Sequence, residues 1–456
     1  MDIREVLKLA DQLVLEQTGK PLDYLQKTVL QGALQGKKYS EIAENHHVSE
    51  GHVRDVGYKL WNLLSEILGE NITKVTLRSI LTKGQFYSFS SAICMQSVTV
   101  NNVNICPETS KPQTVPQQPQ QNSSRPHLDL GSAPEIFSFY GRTAELSTLE
   151  RWIIGDRCRL VALLGVSGIG KTALTIRLIE QIKTHFDYII YRSLRFSPTL
   201  ALTLTNLLQV FSSEPDISHN IETLRSQLLD YLRQYRCLIV LDDVQMLWSG
   251  QLAGQYKPGY EDYHHFVKLI AETPHHSCFL LNSCDRLQEV AKLSKGNHPV
   301  RSLVLGSLGV AAKELLQAEQ LADAETWETL INAYQGNPLW LELTATMIRE
   351  LFAGSVSEFC EYDAPILCES LLAELSQQFQ RLTEPERAIL THLAKEAEPI
   401  ALPQLSQKTS LDPSEFLNAM QSLKMRLLLQ EEKREKVTLF ALNALWKQYV
   451  QNRYSE

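Results

Sequence analysis

The sequence predicts a multidomain α/β protein, and three observations carry that expectation. A glycine-rich turn, Gly165-Val166-Ser167-Gly168-Ile169-Gly170-Lys171-Thr172, lies between an apolar run and a helix-like one. A second apolar run, Cys237 to Leu241, ends in Asp242-Asp243. A stretch rich in Ser, Gln, Asn and Pro, residues 83–134, separates both from a segment of helical pattern. The expected order is a helical unit (1–82), a disordered linker (83–134), an α/β domain (135–305), a helical domain (306–375) and a winged helix (376–456).

The glycine-rich turn has the spacing G-x-x-x-x-G-K-T in the strand–loop–helix setting that a phosphate-binding loop needs. Leu160 to Leu164 reads as a buried strand, and Ala173 to Ile179 as the opening of a helix. Glycines let successive N–H groups curl around anionic oxygens, and the helix N-terminus adds a favourable dipole. Residues Gly165, Val166, Ser167, Gly168, Ile169, Gly170, Lys171, Thr172 and Ala173 are therefore candidate nucleotide-binding positions. Lys171 should reach the β- and γ-phosphates of ATP, and Thr172 should offer its hydroxyl to Mg²⁺. The run Cys237 to Leu241 reads as a strand buried on both faces. Its two acids stand at the C-terminal end, where open α/β sheets place ligands. Asp242 is the second candidate Mg²⁺ ligand. Asp243 is the candidate catalytic residue, orienting or deprotonating a water. Ser277 to Ser283 is a further strand whose Asn282 and Ser283 are placed to sense the γ-phosphate.

Composition narrows the classes. The 456 residues are 44% hydrophobic and 21% charged, enough to build several cores, and the net charge of -8 gives no global pull on nucleic acid. The 8 cysteines are scattered without C-x-x-C spacing and read as buried thiols of a reducing compartment. The first residues lack a signal-peptide core, and no apolar run reaches membrane-spanning length. A cytoplasmic protein without a membrane partner is expected. His264, His265, His275 and His276 read as surface residues at helix ends and turns.

Residues 39–61 have helix-turn-helix spacing: a helix from Ser40, a polar turn at Asn45-His46-His47, and a helix opened by Ser49 that runs through Leu60 and Trp61. A DNA reader of this kind would present Glu50, His52, Arg54 and Lys59. From Lys20 to Arg78, eight basic residues stand against seven acidic ones, a small surplus for phosphate contacts. A protein-interaction module and a DNA-binding one both remain open. In the C-terminal half, Gly336-Asn337-Pro338-Leu339 breaks between two helices, and the Pro338 ring is positioned to pack on a purine. Thr383 with Glu386 forms a capping box. A helix over Pro413 to Leu423 and a hairpin from Arg426–Glu431 and Lys436–Leu442 complete a winged-helix pattern.

These segments resemble the STAND class of P-loop NTPases, in the NB-ARC branch, and within it the cyanobacterial type that often carries WD40 repeats. The resemblance covers about residues 135 to 450. It implies that Tyr140, Gly141 and Arg142 lie at the nucleotide base, that Pro338 faces adenine, and that the winged helix supplies a contact to ADP through Asn443. It also implies a switch held closed by ADP and opened by exchange for ATP, often into an oligomer. Cys284 stands where the family has a γ-phosphate-sensing arginine, with Arg286 two positions on. Leu442-Asn443-Ala444 stands where the family has Met-His-Asp. No WD40 or tetratricopeptide period follows the winged helix, so signal detection is expected through a partner or the N-terminal unit.

The leading expectation is an ATP/ADP-binding signalling switch, at most a slow Mg²⁺-dependent ATPase, whose nucleotide state controls exposure of the N-terminal adaptor, partner binding and oligomerisation. One alternative is a transcription regulator binding DNA through the helix-turn-helix. Another is an assembly protein that keeps ADP as a structural cofactor and hydrolyses nothing.

Overall fold

The computed structural model describes residues 126–212, 220–248, 250–295, 298–362, 365–435 and 437–454, together with residues 14, 22, 24–34, 42, 53, 56, 57, 60 and 61 near the N-terminus. The chain forms two compact units, residues 1–120 and 121–456.

In the first unit, α1 (Tyr24–Leu34) buries Val29, Leu30 and Ala33 on one face. A Cβ on Gly32 would lie 2.4 Å from Ile42 Cδ1, so the glycine lets the Ile42 segment close on this helix. Residues 53, 56, 57, 60 and 61 are helical, with Val53, Leu60 and Trp61 buried. The candidate DNA-reading residues Glu50, His52, Arg54 and Lys59 lie outside the described residues, as do linker residues 83–125.

The second unit opens with β1 (His127–Asp129), α2 (Thr143–Glu150), β2 (Leu160–Leu164), α3 (Lys171–Ile182) and β3 (Tyr188–Ser193). It continues through α4 (Leu200–Leu208), α5 (Ile221–Gln234), β4 (Cys237–Asp242), α6 (Asp262–Glu272), β5 (Cys278–Ser283), α7 (Gln288–Leu293) and β6 (Val300–Val304). The six strands form one parallel sheet in the order β1-β3-β4-β5-β2-β6. Every residue of β2, β4 and β5 is buried, as expected for central parallel strands covered by helices on both faces. Here the sequence boundary needs correcting. The composition places residues 127–129 in the linker, but they pair with Tyr188–Ile190 and extend the sheet.

The C-terminal half follows as α8 (Ala312–Ala318), α9 (Trp327–Ala333), α10 (Pro338–Leu351), α11 (Val356–Cys360), α12 (Glu369–Gln380) and α13 (Glu384–Lys395). Then come β7 (Ile400–Ala401), α14 (Leu402–Lys408), α15 (Pro413–Met425), β8 (Gln430–Arg434), β9 (Val437–Ala441) and α16 (Ala444–Tyr454). One continuous apolar core runs from Ala312 to Val450 and joins these helices. Asn337 caps α10 by accepting from Trp340 N–H, with Pro338 in the first turn. The Thr383/Glu386 capping box of α13 forms as expected. With α13, α14 and α15, the antiparallel sheet β7-β9-β8 makes a winged-helix-like element.

Two expectations fail in this half and in the core. Arg426 is not in the hairpin: it follows α15 and is buried, because two carboxylates capture its guanidinium. His275 is not a surface residue. It is buried, its Nε2 donates to Ile270 O (3.0 Å), and Ser277 N–H donates to its Nδ1 (3.2 Å). Burial lowers its pKa from the usual value to about 4. Six cysteines among the described residues, at 158, 237, 278, 284, 360 and 368, are free thiols. Among the described residues no helix is long and apolar enough to cross a membrane.

Candidate nucleotide-binding site

The C-terminal ends of β2, β4 and β5 converge on the loop between β2 and α3. Gly165 N–H donates to Ser283 O (3.3 Å), tying the loop to the end of β5. Gly168 and Gly170 take φ values of +77° and +97°, which favour glycine. A Cβ on Gly168 would also lie 2.6 Å from Leu339 Cβ. Gly170 precedes α3 directly, so the loop ends on the N-terminus of a twelve-residue helix.

The polar groups expected at this loop meet there. Lys171 Nζ is buried and donates to Gly165 O (2.9 Å) and Val166 O (3.1 Å), with Cys284 Sγ at 3.3 Å. Thr172 Oγ1 donates to Asp242 Oδ2 (2.7 Å), so the two candidate Mg²⁺ ligands are adjacent. Tyr191 OH donates to the same oxygen (2.6 Å). Its hydroxyl is held protonated by burial and by the Asp242 carboxylate. Asp243 sits in the left-handed region (φ +59°), with its own N–H on Asp242 Oδ1 (2.8 Å). Gln245 Nε2 donates to Asp243 Oδ1 (2.8 Å), and Ser193 Oγ reaches Oδ2 (3.4 Å). Burial, then the neighbouring Asp242 charge, raises the Asp243 pKa above that of an ordinary aspartate. Tyr191, Gln245 and Ser193 were not singled out in the sequence. Only their places at or beside strand ends next to the acid pair gave a signal.

Other expected residues have different surroundings. Arg142 braces the loop, donating to Ile169 O (3.2 Å), Gly306 O (2.7 Å), Ser307 O (3.3 Å) and Glu145 Oε1 (2.8 Å). A Cβ on Gly141 would lie 2.5 Å from Ala311 Cβ, and Tyr140 packs on the C-terminal core. Val166 and Ile169 face the apolar core under α3, and Ala173 is half-buried in its first turn. Asn337 Nδ2 donates to Ser167 O (2.9 Å), and Leu339 N–H donates to Gly168 O (3.3 Å). These bonds lay the Gly336-to-Leu339 element on the loop, with the Pro338 ring near Gly170. Asn443 caps α16: its Oδ1 accepts from Trp446 N–H (2.7 Å), and its Nδ2 donates to Gln335 Oε1 (3.3 Å). Asn282 and Ser283 are fully buried; Asn282 Oδ1 accepts from Thr175 Oγ1 (3.0 Å) beneath α3. Arg286 is exposed, and its backbone N–H donates to Met425 O (2.8 Å).

Beyond Cys284 lies a buried charge cluster absent from the sequence reading. Asp285 Oδ2 accepts from Trp248 Nε1 (2.7 Å), Arg381 Nη2 (2.5 Å) and Arg426 Nη1 (3.2 Å). Arg426 Nε donates to Glu386 Oε1 (2.7 Å), which also accepts from Ser422 Oγ (2.6 Å). Arg426 also donates to Gln251 O. Two acids and two arginines thus join the nucleotide domain to the winged-helix-like element.

Two segments of the chain match described families. Residues 154–289 match the family described as "AAA domain". This core is an AAA-type P-loop NTPase domain. Residues 1–84 match the family described as "vWA-MoxR associated protein N-terminal HTH", so the head is helix-turn-helix-like. The chain is 39% identical over 328 residues to an uncharacterised WD repeat-containing protein of Nostoc sp., covering 68% of this chain. It spans 26% of that relative's length. Among solved structures, the chain is similar to a Walker-type ATPase of Pyrococcus abyssi (15% identity, TM-score 0.47, 72% of this chain and 98% of that one). It is also similar to a STAND protein with a tetratricopeptide-repeat sensor from Pyrococcus horikoshii (17% identity, TM-score 0.36, 71% of this chain and 44% of that one).

The residues present fit a nucleotide. The loop meets α3 through glycines of positive φ, and Lys171, Thr172 and Asp242 lie together at its end. Among the described residues no cluster of three or more His, Cys, Asp or Glu forms a metal site from protein alone. That is no obstacle for Mg²⁺, which keeps several waters and is bound through one or two protein groups plus phosphate.

Proposed function

We propose that the protein is an ATP/ADP-binding switch of the STAND type, in the NB-ARC branch, with a helix-turn-helix head as its output. The observation that carries this reading is that the phosphate loop is held from two sides. Its own domain supplies Lys171, Thr172 and Asp242, while Asn337 and Leu339 of the C-terminal half bond to the carbonyls of Ser167 and Gly168. A ligand that reshapes this loop also acts on its bonds to the C-terminal half, and a ligand shifts a conformational balance only by binding its states unequally.

In this reading the N–H groups from Gly165 to Ala173 and the Lys171 amine hold the phosphates. Thr172 and Asp242 hold Mg²⁺, which neutralises charge on the phosphates when bound. Tyr140, Gly141, Arg142 and Pro338 frame the base and ribose, and Asn443 acts one step removed through Gln335. Asp243, beside Asp242 at the end of β4, orients or deprotonates a water, and turnover is slow because Cys284 offers no positive charge at the γ-phosphate. The head exposes a surface for a protein partner or a further copy of the chain when the nucleotide changes.

Calorimetric titration with ADP and ATP tests the reading, with Lys171→Ala as the control that loses affinity. Equal binding by both proteins would overturn it. The match of residues 1–84 to a helix-turn-helix family favours, as a second reading, DNA as the partner. A salt-dependent DNA shift abolished by Arg54→Ala with Lys59→Ala would select it. ADP retained without measurable hydrolysis, unchanged by Asp243→Ala, would instead select a structural role for the nucleotide.

A further inference from the structure

We propose that Glu374 makes the resting protein prefer a nucleoside diphosphate, by holding a carboxylate against Ser167 where the third phosphate of a triphosphate would come. The inference rests on reading residues 165–172 as the nucleotide site, and adds a residue from the C-terminal half that decides which nucleotide fits.

The argument starts from Lys171. In phosphate-binding loops this amine reaches the β- and γ-phosphates. Here it lies on the carbonyls of Gly165 (2.9 Å) and Val166 (3.1 Å), so the first turn of the loop frames the β/γ end. Ser167 is the next residue, and its Oγ donates to Glu374 Oε1 (2.5 Å). Glu374 lies on α12, where Leu371, Leu375 and Phe379 are fully buried in the C-terminal core. Gln378 Nε2, one turn on, donates to the same oxygen (3.3 Å). Among the described residues these are its hydrogen bonds, and no arginine or lysine pairs with it.

A carboxylate in this place has a consequence for charge. A γ-phosphate brings further negative charge and only acceptor oxygens, so it offers Glu374 no hydrogen bond. Two like charges meeting between half-buried residues repel more strongly than in water. A diphosphate ends short of that point and leaves the Ser167–Glu374 bond in place. Triphosphate binding and this bond therefore oppose each other, and entry of the γ-phosphate displaces Glu374 and loads α12. Ser167 itself is part of the reading. A glycine at that position would have no hydroxyl with which to hold the carboxylate.

The test uses the full chain, stripped of co-purified nucleotide and titrated with ADP and with a non-hydrolysable ATP analogue. Glu374→Gln keeps an acceptor for Ser167 but removes the charge. It should narrow the diphosphate preference by about tenfold, equivalent to roughly 1.4 kcal/mol, through tighter binding of the analogue with ADP affinity unchanged. Glu374→Ala should act in the same direction, which separates the charge from the fit of the amide. In the wild type, hydrogen exchange over residues 369–380 should rise with the analogue and not with ADP. An unchanged affinity ratio in both variants, or equal weakening of both ligands, overturns the proposal while leaving the nucleotide site intact. A wild-type protein that binds neither ligand overturns the site itself and this inference with it.

Discussion

Strands β4 and β5 are neighbours in register, yet their C-terminal ends serve different partners. The end of β4 turns to the phosphate loop: Asp242 takes Thr172 and Tyr191, and Asp243 takes Gln245 and Ser193. The end of β5 also meets the loop, through Gly165 N–H on Ser283 O, but the residues after it turn away. Past Cys284, Asp285 is shared by Arg381, at the end of α12, and Arg426 of the winged-helix-like element. One end meets the candidate nucleotide loop and the other the C-terminal half, and they are joined where Cys284 N–H donates to Gln245 Oε1 (3.1 Å). Lys171 links the loop carbonyls of Gly165 and Val166 to Cys284, the residue after β5. Substitutions at the β5 end should therefore act on stability and domain coupling, and those at the β4 end on nucleotide and metal.

The largest effect is expected at Arg426. Removing it leaves Asp285 with one arginine and Glu386 with none, both carboxylates being almost fully buried. Arg426→Ala should lower unfolding stability by about 3–5 kcal/mol, because an uncompensated buried charge is costly. Denaturant unfolding reads this directly. Replacing Arg426 together with Glu386 by apolar residues should cost less than Arg426→Ala alone. A loss below about 1 kcal/mol, the range of a surface pair, would mean the cluster does not hold the interface.

The start of β5 supplies a pH test that touches neither end. His275 is neutral in the fold, with its pKa lowered to about 4. The unfolded chain binds that proton at the usual value near 6.5, so the stabilising contribution is full above pH 6.5 and is lost as pH falls toward 4. The loss should approach about 3 kcal/mol at pH 4 and should be reduced in His275→Gln. Stability that is flat over this window in the wild type would contradict burial of the neutral ring.

How much of this was legible beforehand follows from sequence distance. The phosphate loop is a contiguous eight-residue motif, so its glycines, Lys171 and Thr172 could be read directly. The acid pair was readable because a fully apolar strand ends in it. The Thr383/Glu386 capping box was legible too, since its spacing is local. The buried cluster was not: Asp285 and Arg426 are 141 positions apart, and Arg426 looked like a hairpin residue until its partners were seen. Glu374 is 207 positions from Ser167 and was hidden for the same reason. His275 sits in a polar-looking Pro-His-His-Ser turn, and its burial depends on tertiary partners such as Ile270 O of α6. The β1 strand is three residues long and borders polar sequence, so composition assigned it to the linker.

At the β4 end the larger expected change is Lys171→Ala. Losing a charged donor to phosphate should weaken nucleotide binding by about 1.5–3 kcal/mol, with unfolding stability measured without nucleotide changed much less than in Arg426→Ala. If Lys171→Ala instead destabilised the free protein as much as Arg426→Ala, the division between the two strand ends would fail.

The smallest and most discriminating change is Tyr191→Phe. Only the hydroxyl that donates to Asp242 Oδ2 is removed, and Thr172 continues to donate to the same oxygen. The net loss of one hydrogen bond to a charged group should be about 1–2 kcal/mol in stability. The second readout matters more. Tyr191 fixes the carboxylate that faces Thr172, so the substitution should reduce the Mg²⁺-dependent part of ATP affinity several-fold and leave Mg²⁺-free ADP binding unchanged. Should the two ligand conditions weaken together, Tyr191 is merely packing beneath the loop. Should neither move, Asp242 does not need its second donor, and the β4 end is less specialised for the metal than its geometry implies.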